Sequence, residues 1–217
     1  IKETSIFKEA VHQFRVYDEN DKNRLFTIDD VIGYDNLRPL DVEKFYVTVG
    51  HKYPIIQQTI EFYVSNGFQI YAEIGVYDEQ RLISGMIDGW AVKGNLFAII
   101  DWKTNKDDIK FDSGYYKNDA NGQTTNEYVN ARRYLKYPLD NLLTCKGNEY
   151  AMQLSVYARM VEQRGLTCGG LIIFHIRDHY VLNKYGKPYK DKNNNYIVDP
   201  TKPRIATPIS IPYLKNE

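Results

Sequence analysis

The sequence predicts a layered domain of mixed α/β or α+β class in which helices flank one central sheet. Three observations lead to this prediction. Strand-like segments follow one another closely between residues 68 and 102, a strong helical pattern covers residues 149–164, and the apolar run LIIFHI follows at 171–176. The 217 residues have the length of one domain, so we expect a single domain spanning 1–217.

The elements can be assigned in order. Apolar residues at helical spacing predict an opening helix at 2–14, and residues 24–32 fit a short strand or a helix start capped by Thr27. A helix is predicted at 50–64. The strand-like segments 68–77, 81–92 and 96–102 have turn residues between them and predict an antiparallel meander.

The second half is less regular. Residues 105–148 form a long polar excursion in which a short helix is predicted at 127–136. The helix at 149–164 should end at Gly165. A buried strand is expected at 171–176 and a strand nearer an edge at 207–213, because of its prolines, with a polar hairpin or loop at 184–196 between them.

Bulk composition narrows the classes of function. Lysine plus arginine and aspartate plus glutamate both number 28, so net charge gives no general attraction to phosphate, and any nucleic-acid site must be local. Cys145 and Cys168 are too few for a four-thiolate iron–sulfur cluster. Two reduced thiols are the simpler interpretation and favour a cytoplasmic protein. No apolar run reaches the roughly 18 residues of a membrane span, so we expect no membrane partner. Because the chain begins with Ile1, it could be a piece of a longer protein.

Two acidic residues mark the segment with the clearest chemistry. Asp88 in SGMIDGW and Asp101 in FAIIDWKTNK each lie at or near the end of an apolar strand, and a hairpin between the strands would bring them together. Lys103 should project from the same face as Asp101. Two carboxylates can hold Mg²⁺ or Mn²⁺, and the ammonium can support a water nucleophile or offset charge on a phosphate.

Three short motifs in this region occur together. The chain reads GMID at 85–88, IIDWKTNK at 99–106 and QLSVY at 153–157, the last on the predicted helix after these strands. With these motifs the chain resembles the PD-(D/E)XK nuclease superfamily, in its RecB-like branch and particularly the phage and viral nucleases. The resemblance covers residues 50–176, and residues 1–49 and 177–217 match nothing in the family.

The resemblance implies a restriction-endonuclease-like core, with a mixed sheet of four or five strands and the active site at the splayed end of the two aspartate strands. Residues 50–176 would be the catalytic core, 1–49 an N-terminal elaboration, and 177–217 C-terminal strands and a loop. It also implies Mg²⁺ or Mn²⁺ as cofactor and no iron–sulfur cluster.

The family's residue roles can be carried over to matching positions. Asp88, Asp101 and the carbonyl of Trp102 would bind the metal, with His51 or Glu73 completing the shell. The fuller GTxxH pattern around His51 is absent, so an ordinary cap or surface histidine is the alternative there. Catalytic roles would fall to the two aspartates and to three further residues, Lys103, Gln153 and Tyr157.

Basic and aromatic residues alternate in the long excursion and suit a groove that tracks a nucleic-acid strand. The residues predicted to bind DNA are Lys106, Arg132, Arg133 and Tyr134, the last three on the predicted short helix. The alternative is a solvated loop in which neighbouring aspartates cancel the charge. His175, inside LIIFHI, is predicted to be a core or edge residue.

The sequence therefore predicts a metal-dependent DNA nuclease, with an exonuclease favoured over an endonuclease. It would act in phage-type or bacterial DNA replication, recombination or repair, in a bacterial or phage-infected cell, with DNA and other proteins of those processes as partners. The alternatives are a non-catalytic DNA-binding adaptor of the same fold and a metalloenzyme that is not a nuclease. End polarity, strand preference, use of RNA and oligomeric state are left open.

Overall fold

The structure is a computed structural model that describes residues 26–33 and 39–215. Its helices are α1 (Ile28–Gly33), α2 (Val42–Thr48), α3 (Pro54–Ser65) and α4 (Lys146–Glu162), with a 3₁₀ turn at Gly50–Lys52. Its strands are β1 (Gln69–Asp78), β2 (Ile83–Lys93), β3 (Leu96–Lys103), β4 (Tyr115–Asn118), β5 (Thr124–Val129), β6 (Thr167–Arg177) and β7 (Ile205–Ser210). The helix predicted at 2–14 lies outside the described residues. None of the helices within the described ranges has the length and apolarity that a membrane span requires.

Five strands form one mixed sheet in the order β1-β2-β3-β6-β7. β1, β2 and β3 pair antiparallel in succession, which confirms the predicted meander. β6 then pairs with β3 in parallel, a neighbour that needs a crossover connection, and α4 lies within that connection. β7 pairs antiparallel with β6 at the edge of the sheet, as its prolines predicted. Helices flank this mixed sheet, so the predicted fold class is confirmed.

Successive residues of β3 are buried on opposite faces of the sheet. Phe97 and Ile99 belong to the buried cluster that includes α4, whereas Ala98 and Ile100 belong to the cluster that includes α3. Because both faces are covered, this strand reads as a continuous apolar run rather than an alternating one. The same alternation directs Asp101, two residues after Ile99, to the α4 face.

The helix predicted at 127–136 is wrong. The chain instead forms a hairpin in which β4 pairs with β5, Tyr115 opposite Val129. At the turn, the Asp119 carboxylate accepts a hydrogen bond from the backbone N–H of Gln123 at 2.9 Å. The β-branched and aromatic residues of TTNEYV, at 124–129, suit this strand better than a helix.

Helix α4 begins at Lys146, three residues before the predicted start at 149, and its first turn includes Gly147. The Gly147 N–H donates to the carbonyl of Lys110 at 2.9 Å, and a Cβ on Gly147 would lie 2.6 Å from that oxygen. Gly147 is therefore part of the helix, at a place where the backbone of residue 110 packs too closely for a side chain. At its other end the helix stops at Glu162, and Gly165 follows with a φ of 83°, as predicted.

The N-terminal alternatives at 24–32 resolve to a helix start in the part that is described. The Thr27 N–H and hydroxyl both donate to the carboxylate of Asp30, at 2.8 and 3.0 Å, and α1 begins at the next residue. The stretch 184–196 is a loop held by isolated bridges, among them Lys190 with Tyr196, rather than by a regular ladder.

The guanidinium of Arg164 ties α1 to β1 and to the end of α4. It donates to both carboxylate oxygens of Asp29, at 2.8 and 3.0 Å, and to the carbonyl of Tyr77 at 3.0 Å. The hydrogen bond from Arg164 lowers the pKa of Asp29. A lowered carboxyl pKa stabilises the fold near neutral pH, and this contribution is lost as the carboxylate is protonated in acid.

We predict that Arg164→Gln lowers the free energy of unfolding by about 1–3 kcal/mol, because it leaves partly buried acceptors without their donor. Urea unfolding at pH 7 measures the loss. Arg159→Gln, which changes an exposed arginine of α4, is the matched control. Equal stability of the two variants would show that the Arg164 network contributes nothing.

Candidate active site

Three acidic residues lie on neighbouring strands at one level of the sheet. In the pairing of β1 with β2, the pairs Ala72–Gly89 and Ile74–Ile87 lie on either side of Glu73 and Asp88. The pairing of β2 with β3, which ends with Gly89 opposite Ile100, places Asp88 beside Asp101. The hairpin between β2 and β3 therefore brings Asp88 and Asp101 together, as the two strand ends predicted.

Asp88 and Asp101 are held together in a largely buried position. Asp101 is 3% exposed, and its negative charge acts on the Asp88 carboxyl from the neighbouring strand. Asp88 Oδ2 also accepts from the Trp102 backbone N–H at 3.0 Å. Burial, with the negative charge of Asp101, raises the pKa of Asp88 to about 7, and burial likewise raises the pKa of Asp101. The pair therefore favours a proton or a cation between its carboxylates.

The ammonium of Lys103 is fixed beside this pair. Lys103 Nζ lies 2.7 Å from Asp101 Oδ2 and 3.4 Å from Gln153 Oε1, and it lies 4.8 Å from the centre of the Tyr150 ring. These contacts place the lysine between a carboxylate of β3 and the facing side of α4. As predicted, residues 101 and 103 share one face of the strand.

Gln153 and Tyr157 continue the chain of contacts along α4. Gln153 Nε2 donates to the Tyr157 hydroxyl at 3.1 Å. The Tyr157 ring in turn packs on the backbone of Gly85 in β2, where a Cβ would lie 2.2 Å from a ring carbon. The predicted residues Asp88, Asp101, Lys103, Gln153 and Tyr157 are therefore brought to one place.

The close approach at Gly85 gives a test of this packing. We predict that Gly85→Ala displaces the Tyr157 ring, because a methyl group has no room there, and lowers stability by about 1–3 kcal/mol. Thermal unfolding measures the change. Gly170→Ala is the matched control, since a Cβ at Gly170 meets nothing within 4 Å. If both variants melt alike, Tyr157 does not require the glycine.

Tyr150 and Asn105, two neighbours of Lys103, were not predicted from the sequence. The Tyr150 hydroxyl donates to Asn105 Oδ1 at 2.7 Å, and His175 Nε2 donates to the Asn105 carbonyl at 2.9 Å. His175 is 3% exposed, which confirms its predicted place in the core. Tyr150 precedes Gln153 by three residues, so helical spacing could have found it. These contacts anchor the chain just beyond Lys103.

Glu73 has an unusual backbone. Its φ is 57°, in the left-handed region that a residue with a side chain adopts at a cost of about 1–3 kcal/mol. Its negative charge contributes to the raised pKa of Asp88. Strained backbone of this kind is found often at functional sites, and Glu73 is the acid of β1 whose charge acts on Asp88.

His51 lies elsewhere. It is exposed on the 3₁₀ turn, with Nδ1 3.0 Å from the Tyr46 carbonyl oxygen. It lines a surface cavity with Ile205 and Ala206 of β7, and neither active-site aspartate lines that cavity. Within residues 26–33 and 39–215, no three His, Cys, Asp or Glu side chains converge as a metal-binding group. The sequence cue for His51 was only its place on the helix before the strands.

Comparisons of the chain with protein-family models, curated proteins and solved structures find no match. The resemblance to the nuclease family therefore rests on the motifs at 85–88, 99–106 and 153–157.

The residues predicted to bind DNA separate into two places. Lys106 lies just beyond β3 and lines a cavity there. Arg132, Arg133 and Tyr134 are exposed on the loop after β5 and are absent from the lining of that cavity. Their predicted helix does not exist, and Arg132 has a φ of 47°. A common helical face for the two arginines is therefore excluded.

Proposed function

We propose that the chain is a divalent-metal-dependent deoxyribonuclease of the PD-(D/E)XK superfamily, in its RecB-like branch. The observation that carries the proposal is the placement of two largely buried aspartates on adjacent strands, where Asp88 accepts from the Trp102 N–H and the Lys103 ammonium lies 2.7 Å from Asp101. This enzyme would act on DNA in the cytoplasm of a bacterial or phage-infected cell, during replication, recombination or repair.

The donor set suits Mg²⁺ or Mn²⁺. Two largely buried carboxylates on adjacent strands repel each other when both are ionised, and a hard cation removes that repulsion. Mg²⁺ is commonly held by one or two protein carboxylates, with water and substrate phosphate completing its shell, so two aspartates suffice. The Trp102 carbonyl and Glu73 remain predicted additional ligands. The bound ion would supply Lewis-acid chemistry, making water more acidic and withdrawing charge from the phosphate.

The chain's own groups position the reactants. Lys103 would orient the attacking water and offset the charge that develops on the phosphoryl oxygens. Gln153 and Tyr150 hold the ammonium against α4, and Tyr157 holds Gln153. Water forms the new P–O bond as the bond to the leaving oxygen breaks, and that oxygen takes up a proton.

Incubation with linear and circular DNA, single- and double-stranded, in Mg²⁺, Mn²⁺ or chelator tests the proposal. We expect cleavage of at least one substrate with metal and none with chelator. Sparing of circular DNA would identify an exonuclease. DNA binding without cleavage under every metal condition would contradict the nuclease and favour an adaptor of the same fold.

A further inference from the structure

A cavity of about 540 Å³ lies between the excursion after β3 and the loop before β7. Six cationic side chains line it: Lys106, Lys110, Lys146, Arg177, Lys187 and Lys190. Three carboxylates share the lining, so positive charge is in excess. The whole chain has a formal net charge of zero, which makes this a local concentration rather than a general property.

The acidic side chains of the cavity already have donors. Their contacts are Asp108 with Arg177, Asp112 with the Tyr128 hydroxyl, and Asp107 with the Tyr196 hydroxyl. By contrast, four of the lysines form no ion pair with a carboxylate in the described part of the chain; they are Lys106, Lys110, Lys187 and Lys190. Their charge is available to an incoming anion.

Two of these lysines are gathered on one aromatic ring. Lys187 Nζ lies 3.8 Å and Lys110 Nζ 4.5 Å from the centre of the Tyr116 ring. Cation–π attraction holds each ammonium, yet the two like charges repel each other. Both lysines line the cavity, so an anion bound in it would offset their positive charge. A phosphate group suits that role.

The walls of the cavity are tied to each other before any ligand arrives. Gln123 Nε2 donates to the Lys190 carbonyl at 2.8 Å, and the Lys190 N–H donates to Gln123 Oε1 at 3.0 Å. Asn183 Nδ2 adds a hydrogen bond to the Thr124 carbonyl at 2.9 Å. These bonds join the β4–β5 hairpin to the loop that carries Lys187 and Lys190, so the two segments are held together before a ligand binds.

The cavity lies at the carboxyl-terminal ends of β3 and β6, where Lys103 also lies. β3 ends at Lys103 and continues into Lys106, which lines the cavity. β6 pairs in parallel with β3, Lys103 opposite His175, and ends at Arg177, which also lines it. The cavity therefore adjoins the end of β3 that carries Asp101 and Lys103.

We infer that this cavity binds the phosphates and one or two bases of an unpaired nucleic-acid strand and guides that strand to the Asp88–Asp101 pair. The inference rests on the proposed function for the destination of the strand. The volume falls within the roughly 300–1,000 Å³ of small-ligand pockets, which suits nucleotides of a single strand rather than the width of a duplex. Exposed bases of a single strand can also stack on the tyrosines that line the cavity.

Fluorescence anisotropy with a labelled single-stranded oligothymidylate, in chelator so that no cleavage occurs, tests the inference. We expect Lys110→Gln combined with Lys187→Gln to raise Kd about tenfold or more. The slope of log K against log salt should become shallower by about 1.4, since each phosphate contact on a single strand contributes about 0.7. The matched control, Lys184→Gln with Lys192→Gln, removes two lysines outside the cavity and should change Kd less than about threefold.

Equal losses of affinity in the test pair and the control pair would overturn the inference. It would also be overturned if a blunt duplex bound the unsubstituted protein as tightly as the single strand does and depended equally on Lys110 and Lys187. Competition by inorganic pyrophosphate on the unsubstituted protein needs no substitution. We expect pyrophosphate to displace the labelled oligonucleotide only at concentrations far above those at which unlabelled oligonucleotide displaces it. If pyrophosphate and unlabelled oligonucleotide displace it at equal concentrations, the cavity is a site for free phosphate and strand binding is overturned. If the unsubstituted protein cleaves DNA in Mg²⁺ but the Lys110/Lys187 double variant binds the oligonucleotide normally, the cavity inference fails and the proposed function stands. If the cavity lysines are needed for binding but no cleavage occurs in any metal, the proposed function fails and strand binding by the cavity stands.

Discussion

We expect Asp101→Asn to lower the rate of metal-dependent DNA cleavage by about a thousandfold or more. The substitution keeps the size of the side chain but removes the negative charge that would hold the cation and the partner that fixes Lys103 at 2.7 Å. Lys103→Ala should give a comparable loss, because it removes the positive charge beside the reacting phosphate. Initial rates on an end-labelled substrate in Mg²⁺ measure both effects.

The matched control is Asp140→Asn, an exposed aspartate outside the site. It should cleave like the unsubstituted protein. Anisotropy on the same substrate separates loss of chemistry from loss of binding, and Asp101→Asn should still bind DNA. A variant at Asp101 that retains most of the cleavage rate would mean that the chemistry lies elsewhere.

Asp88→Asn should stabilise the metal-free protein at pH 8, by roughly 2–4 kcal/mol. The pKa of Asp88 is raised from 3.8 to about 7, and each unit corresponds to about 1.36 kcal/mol. A raised carboxyl pKa means that the folded state binds the proton more tightly than the unfolded state. Stability therefore falls as pH rises from about 4 to about 7 and stays low above that. Asparagine removes this penalty and can still accept from the Trp102 N–H.

Urea unfolding in chelator at pH 5 and pH 8 measures this second effect. The unsubstituted protein and Asp140→Asn should both lose stability between the two pH values, and Asp88→Asn should lose much less. The same pH dependence in all three proteins would contradict the raised pKa. Because the readout is stability without metal, it is independent of any nuclease activity.

The parts of the site that the sequence predicted are those set by local spacing. Two apolar strands joined by a short turn bring Asp88 and Asp101 together, strand alternation places Lys103 beside Asp101, and helical spacing places Gln153 with Tyr157. Each of these relations links residues within one element or one hairpin. A pattern in the sequence therefore carries enough information to fix them.

The relations that the sequence did not predict depend on contacts between distant segments. The left-handed φ of Glu73 follows from its surroundings in the sheet, and no residue type at that position announces it. The contact of Gln123 with Lys190 joins two loops 67 residues apart. The error at 127–136 arose because the periodicity of a short polar segment is ambiguous, and the pairing with β4 decided its structure.

The proposed nuclease activity requires that Asp88 and Asp101 together bind a divalent cation. Electron paramagnetic resonance of Mn²⁺ titrated with the protein in the absence of DNA tests it most directly. We predict that the unsubstituted protein and Asp140→Asn bind Mn²⁺, that Mg²⁺ competes, and that Asp88→Asn and Asp101→Asn each weaken binding by about tenfold or more. Binding of Mn²⁺ that is unchanged in both site variants would contradict the account.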